Sequence, residues 1–148
     1  MKKFLSAVCV AAGALLPALA HAQFAKPHDA IEYRQSAMTL MGSHFGRLAP
    51  MVRGQQPFDL AAFQANVALV QTLSKLPWPA FGPGFEGGKA KDDVWKDGAK
   101  FKQASDKFQD AVGKLSAAAQ SGDQAQIRTA YGDVAATCKS CHDSFRSR

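Results

Sequence analysis

Cysteine is scarce in this chain of 148 residues, which has only Cys9, Cys138 and Cys141. This count excludes the dense disulfide framework of many small secreted domains. Long apolar runs are scarce too. After residue 22 no stretch approaches the roughly 20 apolar residues that a membrane-spanning helix needs, so we predict no membrane anchor. Alternation with the two-residue period of a strand is almost absent, which argues against a β-rich fold.

Acidic residues are in the minority, with 12 Asp and Glu against 18 Lys and Arg and a formal net charge of +6. The bases are nevertheless mixed with acids at helical spacing, as at Lys100, Lys102, Asp106, Lys107 and Asp110. This mixture is typical of a solvated helix face rather than of a nucleic-acid-binding stripe. The sequence therefore offers no basis for nucleic-acid binding.

The first residues have the pattern of a secretory signal. Lys2 and Lys3 precede an apolar run over residues 4–19, and Ala20-His21-Ala22 fits the small-residue cleavage pattern. We predict that residues 1–22 are a signal peptide and that the protein is exported. A lipid-modified Cys9 is an alternative that remains open.

Removal of the signal peptide would leave residues 23–148, a chain of 126 residues with a formal charge of +4. This length is that of one ordinary domain. We therefore predict a single domain over residues 23–148, with Cys138 and Cys141 as its only thiols.

Near the C-terminus, Cys138-Lys139-Ser140-Cys141-His142 has the order of a c-type haem attachment site. Each thiol can add across a haem vinyl group to form a thioether, and the neighbouring imidazole can bind the iron. We predict one covalently bound haem c per chain. Three alternatives stay open: a disulfide closing a very small loop, a dithiol redox site, and structural zinc completed by His28 or His44.

Apolar residues at spacings of three and four predict an all-α fold with four helical segments. The first begins near Pro27 and carries Ile31, Met38, Met41, Phe45, Leu48 and Val52. The second is N-capped by Asp59, carries Leu60, Phe63, Val67, Val70 and Leu73, and ends before Pro77. The third runs from about Val94 to Ala119 and carries Phe101, Ala104, Phe108, Ala111 and Leu115. The fourth begins with Asp123 as N-cap and runs to Phe145.

The fourth segment places both cysteines on its apolar seam, which consists of Ile127, Tyr131, Val134, Cys138, Cys141 and Phe145. We therefore expect the cysteines at core positions and the haem inside the helical assembly. The connection over residues 77–93 is rich in Gly, Pro and aromatic residues and is long for a helical protein. It either folds over an end of the helices or the haem edge, or serves as a simple crossover.

The opposite face of the iron decides the function. None of residues 143–148 is a usual axial ligand, so a second protein ligand must come from upstream. The candidates are Met38, Met41, Met51, His28 and His44. One open alternative is a low-spin electron carrier in which His142 and either Met38 or Met41 ligate the iron.

An enzyme such as a peroxidase would need an acid–base group over the iron, and His44 is the only histidine that could supply it. His44 lies on a stripe of the first segment beside the apolar seam. We therefore predict that the protein is not an enzyme.

These features together resemble cytochrome c′, the high-spin branch of the class II cytochromes c. The runs Gln23–Pro27, Tyr33–Ala37, Pro77-Trp78 with Phe81–Gly84, and Cys138–Arg146 are similar to β-proteobacterial members of that family. The resemblance spans essentially the whole chain after the signal. It implies an antiparallel up-down four-helix bundle with covalently bound haem, commonly a homodimer, and for an exported chain a periplasmic location.

The resemblance also implies roles for residues of the fourth segment. Cys138 and Cys141 would bind the haem, and His142 would be the proximal iron ligand. Arg146, one turn beyond, would stand beside the imidazole on the proximal side.

On the distal side, Met38 falls where the family has its blocking residue. Similar members carry leucine there, so Met38 differs from them. A methionine could either block the distal site or ligate the iron. Arg34 and Gln35 resemble residues near the haem propionates, although a role on the bare helix surface fits both.

The resemblance implies that the partners are nitric oxide and carbon monoxide rather than dioxygen, together with an unidentified redox partner. An incoming gas would have to displace the distal side chain, and the wall would offer no hydrogen-bond donor to stabilise bound dioxygen. A homodimer would use apolar residues left over on the first two helices, such as Leu40 or Leu69.

Overall fold

The computed structural model describes residues 23–148, which form helices joined by turns, with one isolated β-bridge between Ala90 and Arg146. The signal peptide predicted for residues 1–22, and Cys9 with it, lie outside the described residues. The α-helices are α1 (Pro27–Gly46), α2 (Ala49–Val52), α3 (Leu60–Leu73), α4 (Asp93–Lys96), α5 (Gly98–Ser121) and α6 (Gln124–Phe145). A 3-10 helix over Trp78–Phe81 lies between α3 and α4.

The long helices α1, α3, α5 and α6 form an antiparallel four-helix bundle, which confirms the predicted fold class. Helix α3 packs against α1 and α5, and α5 packs along α6. Phe45 of α1 stacks on Tyr131 of α6, with the two ring centroids 4.4 Å apart. Within residues 23–148, no helix has the length and apolar character that spanning a membrane requires.

The core lies between the four long helices. Its buried residues include Leu48, Phe63, Val67, Val70, Phe108, Val112, Leu115, Ile127 and Val134. The seams predicted for the second, third and fourth segments supply most of this set. Leu60, placed on the seam of the second segment, is 38% exposed, so that part of the prediction is wrong.

Two aspartates begin helices as the sequence predicts. The Asp59 carboxylate accepts a hydrogen bond from the Ala62 N–H at 3.0 Å. The Asp123 carboxylate accepts from the N–H groups of Ala125 and Gln126 at 2.8 and 3.1 Å. These contacts satisfy amide groups that have no partner within the first turn of a helix.

The first predicted segment is not one helix. Helix α1 ends at Gly46, and the short helix α2 begins at Ala49. Pro50 accounts for the break, because it has no N–H and its ring would clash with the carbonyl four residues earlier in a continuous helix.

The third predicted segment is also interrupted, at Asp97. The backbone of Asp97 has φ −125° and ψ 55°, outside the helical region, and its carboxylate accepts from the Lys100 N–H at 3.3 Å. Asp97 therefore ends α4 and begins α5 as an N-cap.

The connection between α3 and α4 folds against the bundle instead of running as a simple crossover. Its 3-10 helix packs on α1. The ring centroid of Phe81 lies 4.9 Å from that of Phe101 in α5, and the Trp95 indole N–H donates to the Gly82 carbonyl at 3.2 Å. This connection thereby becomes a wall of the bundle end where α6 finishes.

The turn between α5 and α6 depends on Gly122, whose φ of +72° lies in the left-handed region. A Cβ atom there would also lie 3.4 Å from a methyl group of Leu60.

We expect Gly122→Ala to lower the free energy of unfolding by about 1 kcal/mol. Gly113→Ala is the matched control, because Gly113 lies inside α5 and, within residues 23–148, an added Cβ would have no atom within 4 Å apart from its chain neighbours and the backbone of its own helix. It should raise stability by about 0.5–1 kcal/mol. Urea unfolding would measure both, and equal effects of the two variants would contradict this account.

Candidate functional site

A cavity of about 440 Å³ lies between α1, the connection, α4, the start of α5 and the end of α6. Its lining residues are Arg34, Gln35, Met38, Thr39, Phe81, Lys89, Ala90, Val94, Phe101, Cys141, His142, Phe145 and Arg146. The volume is in the range of natural ligand pockets. Six of the seven site residues predicted from the sequence line it, and the seventh, Cys138, packs against the core.

Helix α6 presents Cys138, Cys141 and His142 from neighbouring positions, because residues three and four apart share a helix face. Both cysteines are half-buried and are not joined by a disulfide. The prediction that they occupy core positions therefore needs correction: they lie at the edge of the core, with Cys141 facing the cavity.

The surroundings of both thiols favour their protonated form. Burial raises the pKa of Cys138 to about 11, and the nearby Cys141 adds to the rise. Burial also raises the pKa of Cys141. Dithiol redox sites have a lowered thiol pKa, so this arrangement disfavours a thioredoxin-like site.

The two upstream histidines lie away from the cavity. His28 pairs with Glu32 on the surface, with its Nε2 3.2 Å from the carboxylate, and His44 Nδ1 is hydrogen-bonded to Asn66 Oδ1 at 2.9 Å. Within residues 23–148, no group of three His, Cys, Asp or Glu side chains could hold a metal ion. Neither the zinc alternative nor an acid–base role for His44 over the cavity finds support.

His142 has surroundings that favour its neutral form. Burial lowers the pKa of the imidazole, and the positive charge of Arg146 lowers it further, while Asp143 opposes the change. The neutral imidazole is the form that binds metals. Arg146 also donates its N–H to the His142 carbonyl at 3.1 Å, which continues the helical turn past the imidazole.

Arg34 has a role that the sequence did not reveal. It is only 3% exposed, so a position on the bare helix surface is wrong for this residue. Its guanidinium donates to the carbonyls of Ala80, Phe85 and Gly87, each at 2.7 Å. It also lies 4.6 Å from the ring centroid of Phe81. Arg34 therefore fastens the connection to α1, in addition to lining the cavity.

Burial lowers the pKa of Arg34, and the charge of Glu86 opposes that change. The guanidinium keeps its charge at any ordinary pH. Charge-assisted hydrogen bonds to the three carbonyls offset the cost of burying it. Gln35, the next residue, is exposed at the rim of the same cavity.

The three candidate methionines differ in burial and in their position relative to the cavity. Met38 is half-buried and lines the cavity, whereas Met41 and Met51 belong to the buried core and do not line it. Among the methionine candidates, only Met38 therefore lines the cavity that His142 also lines.

Sequence reasoning missed part of the lining. Val94 and Phe101 could have been found, because both lie in the third predicted segment and are apolar. Phe81 was visible only as one aromatic residue of the connection. Lys89 and Ala90 carry no sequence signal, because they reach the site through pairing with the end of α6.

The chemistry of the lining fits a haem. Its apolar walls are Met38, Phe81, Val94, Phe101 and Phe145. Its exposed polar rim is Gln35, Lys89 and Arg146, whereas Arg34 is a buried part of the lining. A flat apolar macrocycle with two carboxylates suits apolar walls with a basic rim, and two thiols and an imidazole from one helix are the donors that covalent attachment needs.

The family model described as Cytochrome C' matches residues 29–146. The chain belongs to the cytochrome c′ family. It is 59% identical over 126 residues to cytochrome c′ of Alcaligenes xylosoxydans xylosoxydans, covering 85% of this chain and 99% of that relative. It is 56% identical over 129 residues to cytochrome c′ of Rubrivivax gelatinosus, covering 85% and 100%.

Solved structures of cytochrome c′ are also similar to this chain. The structure of the nitric oxide complex of a cytochrome c′ variant from Alcaligenes xylosoxidans matches with a TM-score of 0.83 and 58% identity, covering 85% of this chain and 99% of that chain. As a cytochrome c′, the chain has covalently bound haem c as its cofactor.

The role of Arg34 in fastening the connection can be tested by removing its charge. We expect Arg34→Met to lower the free energy of unfolding of the haem protein by about 2–3 kcal/mol, because three carbonyls lose a charged donor. Arg34→Lys should recover only part of this loss, since one ammonium group cannot reproduce the fork of donors. Urea unfolding would measure these changes.

The matched control is Arg47→Met, which removes an exposed arginine just after α1 and should change stability by less than about 0.5 kcal/mol. If Arg34→Met and Arg47→Met were equally mild, the fastening role of Arg34 would be wrong.

Proposed function

We propose that this cytochrome c′ binds nitric oxide and carbon monoxide at a five-coordinate haem c whose distal side is sterically blocked by Met38. The observation that carries the proposal is the placement of Met38 in the lining of the cavity that also receives Cys141 and His142. The similar protein from Alcaligenes xylosoxidans forms a nitric oxide complex, which supports the choice of gas.

Residues of α6 hold the cofactor in this proposal. The thiols of Cys138 and Cys141 would hold the haem through thioethers to its two vinyl groups, and His142 would coordinate the iron through its neutral imidazole. When bound, the haem supplies an iron centre with one face free of protein ligands. Gln35, Lys89 and Arg146 lie on the exposed rim, where the propionates would find hydrogen-bonding and charge-complementary partners, and the buried Arg34 also lines the cavity.

Met38 excludes weak ligands by its size. Its thioether has no hydrogen to donate, and the hydroxyl of Thr39 already donates to the Gln35 carbonyl at 2.8 Å. A ligand must therefore displace the Met38 side chain without gaining a hydrogen bond from either residue. Nitric oxide and carbon monoxide bind iron strongly enough to meet that cost, whereas dioxygen depends on a polar distal pocket.

On the proximal side, Arg146 stands one turn beyond His142, and its positive charge favours the neutral imidazole. If nitric oxide released the His142 bond, Arg146 would border the space that the imidazole leaves. The protein acts as a gas-binding carrier in this proposal and not as an enzyme.

A low-spin electron carrier is the second candidate, because Met38 lines the cavity and a thioether can ligate haem iron. The burial of Met41 in the core favours Met38 over Met41 for that role. An electron carrier would also need a redox partner, and the basic rim would favour one with an acidic surface.

We further propose that residues 1–22 are removed as a signal peptide and that residues 23–148 work in the periplasm as a homodimer. Leu40 on α1 and Leu69 on α3 are 52% and 45% exposed, and their helices pack side by side. Two exposed leucines on adjacent helices offer an apolar patch to a second copy.

Absorption spectra distinguish blocking from ligation. We expect a high-spin ferrous spectrum that shifts with both gases, and carbon monoxide binding at least tenfold faster in Met38→Ala, because the steric cost is removed. Met38→Leu is the matched control, since leucine blocks without ligating and should preserve the high-spin spectrum. A low-spin wild-type spectrum that turns high-spin in Met38→Leu would instead establish the electron carrier. Unchanged binding rates in Met38→Ala would remove Met38 from the distal wall.

Native mass spectrometry tests maturation, cofactor and assembly together. The protein purified from periplasm should have the mass of residues 23–148 plus one haem per chain, in pairs. Cys138→Ser with Cys141→Ser should lose the covalent haem mass. Leu40→Lys with Leu69→Lys should shift the pairs to single chains while keeping haem, because buried ammonium groups would be costly at the interface. A mass that still includes residues 1–22 would contradict removal of the signal peptide. A dimer that persists in the double lysine variant would contradict the proposed interface.

A further inference from the structure

The end of α6 has an unusually complete set of hydrogen bonds. The last four carbonyls of a helix, here those of His142 to Phe145, have no partner within the helix. The His142 carbonyl accepts from the Arg146 N–H at 3.1 Å. The other three all accept from Lys91.

Lys91 uses both its side chain and its backbone for these contacts. Its ammonium group donates to the carbonyls of Asp143 and Ser144 at 2.9 and 3.3 Å. Its N–H donates to the Phe145 carbonyl at 2.9 Å. A cation at the C-terminal end of a helix also interacts favourably with the helix dipole.

The neighbours of Lys91 extend this attachment. The Ser147 N–H donates to the Lys89 carbonyl at 2.9 Å, and Ala90 forms an antiparallel bridge with Arg146. Residues 89–91 thus pair with residues 145–147, directly after the turn that carries His142. The same connection is fastened to α1 by Arg34, through the Gly87 carbonyl and two others.

We infer that Lys91 is a positioning residue for the proximal side of the haem. Its ammonium group binds carbonyls in the last turn of α6, which carries His142 and leads into Arg146. This inference rests on the proposed function, in which His142 coordinates the iron. Movement of this turn would displace the His142 backbone and the imidazole with it. Such movement would break the hydrogen bonds from the Lys91 ammonium group to the Asp143 and Ser144 carbonyls, so the Lys91 side chain opposes it.

The test compares three variants of the haem protein. Lys91→Met removes the ammonium group but keeps the backbone bond to Phe145, and Lys91→Arg restores a charged donor. Lys96→Met is the matched control, because it removes the same charge five residues away, where among residues 23–148 the lysine pairs only with Asp92 on the surface. Amide hydrogen exchange at Arg146 reports the last turn of α6, and the iron–histidine stretching frequency of the ferrous protein reports the proximal bond.

We expect about tenfold faster exchange at Arg146 in Lys91→Met, together with an iron–histidine band that is broader and shifted to lower frequency. Lys91→Arg should restore both readouts, and Lys96→Met should match the unaltered protein. Faster exchange with an unmoved iron–histidine band would overturn the inference, because Lys91 would then be only a helix cap. An unchanged exchange rate would overturn it as well.

The unaltered protein separates this inference from the proposed function. Absence of an iron–histidine band in that protein would refute the five-coordinate, His142-ligated iron of the proposed function, and the inference that rests on it. A normal band that is insensitive to Lys91→Met would refute the inference alone.

Discussion

The architecture of the site depends on the burial of one cation, Arg34. A guanidinium withdrawn from water is costly unless it is hydrogen-bonded, and Arg34 meets that need with three carbonyls of the connection between α3 and α4. Those carbonyls gain a charged donor in return. The long connection, which has little regular structure of its own, is thereby held against α1 and becomes a wall of the cavity. Met38 lies one turn further along α1, so the helix that fastens the wall also carries the proposed distal residue.

The opposite wall depends on α6 in a different way. Its seam packs into the core through Ile127 and Val134, which sets the direction in which Cys141 and His142 face. The end of this helix is fastened by Lys91, which belongs to the connection that Arg34 holds at α1. The two faces of the proposed haem site are therefore linked mechanically through residues 80–91. The proposed gas binding at a blocked iron would need such a frame, because steric selection works only where the blocking side chain has a defined position.

Sequence patterns predicted the helices well where apolar spacing was regular, and they failed where one residue interrupted it. Pro50 divides the first predicted helix for a local steric reason, and Asp97 divides the third by capping a new one. The helix-breaking character of Pro50 and the capping character of Asp97 are visible in the sequence. The apolar spacing nevertheless continues across both residues, so the pattern does not indicate the break. The predicted face of α1 reaches the core through Met38, Met41 and Phe45, but the buried residues of this helix also include Arg34, which a search for apolar residues passes over. The cysteines were placed too deep, since a seam position near the end of a helix borders the cavity as well as the core.

The sequence by itself determined the haem chemistry and the fold class. Cys138, Cys141 and His142 are within one helical turn, and the amphipathic periods are local, so neither needs a distant contact to be recognised. The tertiary structure alone decided which methionine faces the cavity, why Arg34 is buried, and how the connection becomes part of the site. Arg34 contacts carbonyls 46 to 53 residues away, and Lys91 contacts carbonyls 52 and 53 residues away. Such contacts depend on how the whole chain folds, and no short pattern in the sequence encodes them.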